Sequence, residues 1–216
     1  MRWLVLIAVT LALRAHAIEP YQTAQQLYNT PPVAAFTNNG SLNIRTATGK
    51  TIKVPLSVAT VVNSNQWQTT YQTDQATLMI THAVGSPNYY TLNKENVAAS
   101  TEPFAGSDFS IADLGLEFLH WSTQRILPKT TNLKRGREYT LLESSNPEAT
   151  GYSLVLSWIG SKILSNFPLR SKALASMIPP DSLSKSFKKV NGHWELQEME
   201  ISNVQAGTRT RLEFNL

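Results

Sequence analysis

The chain of 216 residues contains no cysteine. That excludes a disulfide framework, a thiol nucleophile, a thiolate metal site and a lipidated N-terminal cysteine, so stability must come from a packed core. Past the N-terminus no apolar run approaches the ~20 residues that a membrane-crossing helix needs. Metal-ligand spacing is missing as well. His82, His120 and His193 lie far apart in the sequence, and none stands at ligand distance from an Asp or Glu. Each reads as an ordinary surface or core histidine. The chain has no Gly-x-Ser-x-Gly elbow, no phosphate loop, no internal repeat and no low-complexity tract. These gaps point away from an enzyme, and no cofactor or metal is expected. Asp108 and Asp113 near His120 could suggest acid–base work, but helix capping explains both aspartates more simply.

What is present begins with Met1-Arg2-Trp3, an apolar run from Leu4 to Leu13 interrupted only by Thr10, and then Arg14-Ala15-His16-Ala17. Ala15-x-Ala17 fits a signal-peptidase site, so residues 1–17 read as a secretory signal peptide, too short for a membrane span. Removing 17 of the 216 residues leaves 199, which suits one domain, 18–216. Arg2 and Arg14 leave with the signal, which lowers the formal charge from +4 to about +2. The basic pI of about 9.3 is thus weak grounds for a nucleic-acid partner, and none is expected.

The mature chain is dominated by period-2 alternation. A short helix, Tyr21 to Tyr28, ends at Pro31-Pro32. Strand-like faces follow: Leu42, Ile44 and Thr46; Ile52, Val54, Leu56, Val58, Thr60 and Val62; Trp67, Thr69 and Tyr71; Leu78, Ile80, His82 and Val84; and Tyr89 to Leu92. Pro55 inside the second run predicts an edge position or a bulge. Residues 93–107 read as loop, and Pro128 to Arg137 as a basic connector. Later strands start at Tyr139 and Leu141, place Tyr152, Leu154, Leu156 and Trp158 on one face, and end in the alternation of Thr208, Thr210, Leu212, Phe214 and Leu216 with Arg209, Arg211, Glu213 and Asn215. That last strand reads as one buried and one charged, wet face. Short turns imply antiparallel neighbours, and eight or more strands with few helices imply a strongly curled sheet or barrel. The fold class is therefore mainly β (α+β): a single curled antiparallel sheet with short helices.

Between the two strand sets lies the strongest helix signal. Ser110 and Asp113 approximate a capping box, and Ile111, Leu114, Phe118 and Trp121 follow as one apolar stripe. Gly115 weakens this helix by ~1 kcal/mol relative to alanine. A helix over 110–121 should lay its stripe on the concave side of the sheet. The aromatic set Trp67, Tyr71, Tyr89, Tyr90, Phe118, Trp121, Tyr152 and Trp158 could line a lipid cavity or could simply fill a core.

Three stretches resemble bacterial outer-membrane lipoprotein-sorting proteins, relatives of LolA and LolB. They are Gly106-Ser107-Asp108-Phe109-Ser110-Ile111-Ala112-Asp113-Leu114; Tyr152 to Ile159, ending Ser157-Trp158-Ile159; and Ser186 to Val190, then Trp194 to Ile201, closing with Thr208 to Phe214. The resemblance covers most of residues 100–216, while 18–99 match only as strand pattern. It implies an unclosed β half-barrel whose concave side is covered by helices and shields lipoprotein acyl chains in the periplasm. By that resemblance the chain is a soluble, unlipidated periplasmic carrier or chaperone for lipoprotein acyl chains or other lipids, with inner- and outer-membrane sorting proteins as partners. An exported, non-enzymatic β-rich scaffold or interaction protein without a lipid cavity is the alternative. The candidate lipid-binding residues are Trp67, Tyr71, Leu78, Ile80, Ile111, Leu114, Phe118, Trp121, Tyr152 and Trp158. Residues 160–184 depart from the family's pattern. Gly160 to Pro180 holds no acid, strand alternation is lost, and the apolar residues cluster as Ile163, Leu164 and Phe167 and then as Leu174, Met177 and Ile178, at helix-like spacing. A diverged hairpin or a pair of compensating reading-frame errors would each produce such a segment.

Overall fold

Period-2 alternation becomes a physical ladder once the strands pair. The computed structural model describes residues 19–32, 34–127, 139–147, 154–160, 174–176, 187–190, 193–196, 198–203 and 206–215. Residues 1–17, expected to be a signal peptide, the basic connector, Tyr152 and most of 160–184 lie outside them. A first helix, α1 (Pro20–Tyr28), leads into β1 (Phe36–Arg45), β2 (Thr51–Asn63), β3 (Gln66–Gln72), β4 (Thr77–Ala83), β5 (Tyr89–Leu92) and β6 (Glu95–Val97). The covering segment follows: a tight turn at Phe104–Gly106, the one-turn helix α2 (Ile111–Leu114) and a 3-10 turn at Glu117–His120. The remaining strands are β7 (Thr123–Leu127), β8 (Tyr139–Ser145), β9 (Leu154–Gly160), β10 (Leu174–Ser176), β11 (Phe187–Val190), β12 (His193–Leu196), β13 (Glu198–Asn203) and β14 (Thr208–Phe214).

Eight strands form one sheet in the order β13-β14-β1-β2-β3-β4-β5-β6. All its neighbours are antiparallel. Its two ends, β13 and β6, do not pair with one another, so the sheet is open. A four-stranded sheet runs β10-β9-β8-β7, and β11 pairs with β12. The fold is mostly β with a large antiparallel sheet that does not close. β14 hydrogen-bonds to β1, so the last strand sits beside the first. Gly40 makes that junction possible, because a Cβ there would lie 2.9 Å from the Glu213 carbonyl carbon.

Register lines up one apolar face across the eight strands. Ile201 opposes Thr210, which opposes Ile44; Val58 opposes Tyr71, which opposes Leu78; and Thr60, Thr69, Ile80 and Tyr90 form a further row. Leu42, Leu56, Val58, Leu78, Ile80, Ile201 and Leu212 on this face are buried. They pack with Ala24, Leu27 and Tyr28 of α1 and with Ile111, Leu114, Phe118 and Leu119 of the covering segment in one cluster. At about 25 cal/mol per Å² of apolar surface removed from water, each large aliphatic or aromatic side chain contributes roughly 1.5–3 kcal/mol. Pro55 pairs with Ser41 of β1, while β3 reaches β2 only from Ser57 onward. Its missing N–H therefore lies on a stretch with a free edge, as its chemistry requires.

Several expectations need correction. Residues 95–97 are strand, not loop. The Asn93-Lys94 turn has φ 51 and 73, the left-handed pair of a two-residue hairpin, which an Asn-Lys sequence signals weakly. β4 stops at Ala83, and Val84 is exposed. Among the described side chains of β9, Val155 and Ser157 are buried and Leu154 is exposed. Leu174–Ser176, read at helical spacing, is a strand antiparallel to β9. The polar face of β14 is not simply wet. Across from it on β13, Glu200 is 2% exposed and paired with Arg211 at 3.0 Å, while Arg211 also meets Glu198 at 3.1 Å.

Candidate functional site

The site is the covered face of the large sheet and the segment laid across it. The expected helix over 110–121 is broken. Ser110 caps α2 with both halves of a capping box: the Asp113 N–H donates to Ser110 Oγ at 3.1 Å and the Ser110 N–H donates to Asp113 Oδ2 at 2.8 Å. α2 ends after one turn at Gly115, and Leu116 takes a left-handed φ of 60. A 3-10 turn then restores the direction of the stripe, so Ile111, Leu114 and Phe118 are all buried and Trp121 is half-buried. Leu119, outside the stripe, is fully buried as well. Burial pushes the Asp113 carboxyl up to about 6, against the two Ser110 hydrogen bonds that favour its charged form.

Point contacts hold the segment at both ends. On one side Asp108 reaches β14. Thr208 Oγ1 donates to Asp108 Oδ1 at 2.5 Å, Thr210 Oγ1 donates to Asp108 Oδ2 at 2.8 Å, and the Asp108 N–H donates to Thr210 Oγ1 at 2.8 Å. This is the role of Asp108: a cross-chain latch rather than a cap. On the other side Glu117 accepts from the Tyr90 hydroxyl and from Asn88 Nδ2 at 3.0 Å. Asn88 Nδ2 also lies 2.8 Å from the Gly115 carbonyl. Between these ends Gln25 of α1 donates to the Leu119 carbonyl at 3.1 Å. Gln124 donates to the Phe118 and Trp121 carbonyls at 3.1 and 2.9 Å, and its own oxygen accepts from Ser144 at 2.7 Å.

A group of polar and aromatic side chains borders the apolar cluster beside the Glu117 end. Trp67 stacks on His82 with ring centroids 5.0 Å apart. Tyr28 stands edge-on to His82 at 6.3 Å and to His120 at 3.7 Å. Burial pushes the His82 imidazole down to about 4, and the nearby Asn88 side chain opposes this weakly. Burial lowers His120 too, with Glu117 opposing. The Tyr28 and Tyr90 phenols are raised by burial first and by the Glu117 carboxylate second.

Of the ten residues singled out from the sequence, Leu78, Ile80, Ile111, Leu114 and Phe118 meet in the one buried cluster, with Tyr71 and Trp121 packed against it. Tyr71 stands edge-on to Phe104 at 6.5 Å, and its phenol is pushed up to about 12 by burial. Phe118 and Trp121 pair edge-to-face at 6.4 Å. Trp67 is buried but lies apart, on His82. Tyr152 and the Trp158 side chain lie outside the described residues; the Trp158 backbone pairs with Leu141 and Leu174. Tyr89, from the wider aromatic set, is 51% exposed and lines nothing. Sequence reading missed Asn88, Glu117 and Tyr28. Their partners lie 27 or more residues away for Glu117 with Tyr90 and Gly115 with Asn88, and no local period marks such contacts.

No curated protein matches the sequence. Among solved structures, an outer membrane lipoprotein-sorting protein domain from Vibrio parahaemolyticus superposes with a TM-score of 0.66 at 15% identity, covering 91% of this chain and 90% of that one. A DUF1329 family protein from Desulfovibrio piger gives 0.62 at 14%, covering 91% and 92%. A LolA superfamily protein from Nitrosomonas europaea gives 0.54 at 11%, covering 92% of each. At these identities the likeness establishes a shared fold, the open sheet with a covered face. A family model described as "Uncharacterized protein" matches residues 70–215, about two-thirds of the chain, and the chain belongs to that family.

Proposed function

We propose that this chain is a periplasmic, non-enzymatic carrier that shields the acyl chains of a lipoprotein or another lipid on the covered face of its open sheet, in the service of outer-membrane lipoprotein sorting. The observation that carries the reading is how that face is covered. An apolar face contributed by all eight strands of the large sheet is roofed by α1, a one-turn helix and a 3-10 turn. Helical pieces this short have little stability of their own and persist through their contacts. An acyl chain entering beneath them gains ~0.8 kcal/mol per buried CH₂, so displacing such a roof lies within reach of one lipid tail. The fold shared with LolA-superfamily and lipoprotein-sorting structures supports the same reading. Export rests on the Ala15-x-Ala17 site, and the mature protein should begin at Ile18.

One observation favours the alternative, a scaffold that kept the fold without a cavity. Leu78, Ile80 and Leu119 are fully buried against their neighbours, as in a filled core. Phe118→Ala separates the two. In a filled core it costs ~3–5 kcal/mol. In a carrier whose roof yields, it costs less and changes the affinity for an acyl ligand, read by displacement of a fluorescent fatty-acid analogue. A full core penalty with unchanged ligand affinity would sink the carrier reading.

A further inference from the structure

The carrier reading leaves the polar group at the Glu117 end unused. Among the described residues six buried side-chain polar atoms have no hydrogen-bond partner, and four of them belong to this group: Tyr28 Oη, His82 Nδ1, Asn88 Oδ1 and His120 Nε2. Tyr28 is 3% exposed and His82 7%. A buried polar atom left unpaired costs roughly 1–3 kcal/mol, and native interiors rarely tolerate it. Asn88 lies against two of them, its backbone toward the Tyr28 hydroxyl and its side chain toward His82, yet neither contact has hydrogen-bond geometry. Together the four, where α1, β4, the approach to β5 and the 3-10 turn meet, form a set of donors and acceptors left without a well-formed bond. They border the apolar cluster itself, since Tyr28 belongs to both.

We propose, on the basis of the carrier reading, that Tyr28, His82, Asn88 and His120 bind the uncharged, hydrogen-bonding headgroup of an acylated ligand, the ester or hydroxyl end whose tail lies along the apolar face. The chemistry selects the class. Asn88 Oδ1 only accepts. The Tyr28 hydroxyl both donates and accepts, and each neutral imidazole offers one donor and one acceptor. A ligand hydroxyl can donate to Asn88 Oδ1 while an ester carbonyl accepts from Tyr28. No lysine or arginine belongs to the group, and its one charge, Glu117, already accepts from Tyr90 and Asn88. A phosphate or carboxylate would meet a like charge with no cation to offset it.

The test uses the mature protein with N-phenyl-1-naphthylamine as an apolar reporter, displaced by 1-monolauroylglycerol or by dodecyl phosphate, which share one chain length. The wild type should bind the glycerol ester at least about fivefold more tightly, the worth of one or two net hydrogen bonds. Tyr28→Phe removes a hydroxyl that makes no well-formed hydrogen bond, so its thermal midpoint should equal or exceed the wild type's. It should also lose most of the preference while still binding the reporter. Equal affinity for the two amphiphiles, or a preference that survives Tyr28→Phe, overturns the headgroup site and leaves the carrier standing. A wild-type protein that takes up neither reporter nor amphiphile overturns both.

Discussion

Gly115→Ala adds a single methyl group at a position whose backbone, with φ −88, accepts alanine without strain. Backbone propensity alone makes this change stabilising by about 0.4–1 kcal/mol. The surroundings reverse the sign. The new Cβ would stand 2.7 Å from Tyr90 Cζ and 2.8 Å from Tyr90 Cε1, and closer still to the hydroxyl oxygen. Tyr90 cannot swing into solvent cheaply, because it is 3% exposed and part of the core. Moving it also breaks the bond its hydroxyl donates to Glu117. Overpacking costs roughly 1–3 kcal/mol and a hydrogen bond to a charged group roughly 1.5–3. The net loss should be about 2–4 kcal/mol, a fall in thermal midpoint of about 5–15 °C for a chain of this size. Urea unfolding followed by tryptophan fluorescence reads it. Tyr90→Phe takes away the atom nearest the methyl, so the double variant should cost at least about 1 kcal/mol less than the two single changes summed. A neutral or stabilising Gly115→Ala would refute the close approach of Tyr90.

Asp108→Ala strips Thr208 and the fully buried Thr210 of their acceptor, and should cost about 2–3 kcal/mol in the same assay. His82 carries a pH signature. Its folded pKa of about 4 lies below the unfolded ~6.5, so the folded protein resists protonation, and stability present above pH ~6.5 is lost as pH falls toward 4. Asp113, raised to about 6, acts in the opposite direction over the same range and masks part of the effect. The clean readout is therefore a difference: between pH 6.5 and 4 the wild type should lose about 3 kcal/mol more than His82→Gln. Parallel pH curves would refute it. Amide exchange should be faster in 110–121 than in β14, and should slow in 110–121 when an acyl ligand is added. Equal protection without a ligand response would contradict a yielding roof.

Local chemistry was legible in the sequence, and contacts at a distance were not. The Ser110–Asp113 box and the alternation of Leu42 with Ile44 and of Thr210 with Leu212 depend on neighbours a few residues away, and the structure contains all three. The stripe Ile111, Leu114, Phe118 and Trp121 was legible as a face, yet the continuous helix it suggested is not there. A 3-10 turn after a left-handed Leu116 keeps the same residues inward, and that reversal coincides with Glu117 bonding to Tyr90 and Asn88. In β9 the alternation leaves open which face is buried: Val155 and Ser157 are buried and Leu154 is exposed, and only the neighbouring elements decide it. The apolar half of the candidate site was thus readable from pattern, whereas the polar half, Tyr28, Asn88 and Glu117, exists only through folding.

The central claim is that the covered face receives an acyl chain. Native mass spectrometry of the protein purified from membrane-containing cells under gentle conditions tests it most directly. The account predicts a population heavier than the mature chain by the mass of a lipid, diminished in Phe118→Ala. A clean apo mass for the wild type, obtained under conditions that preserve a known lipid complex run alongside, would contradict it.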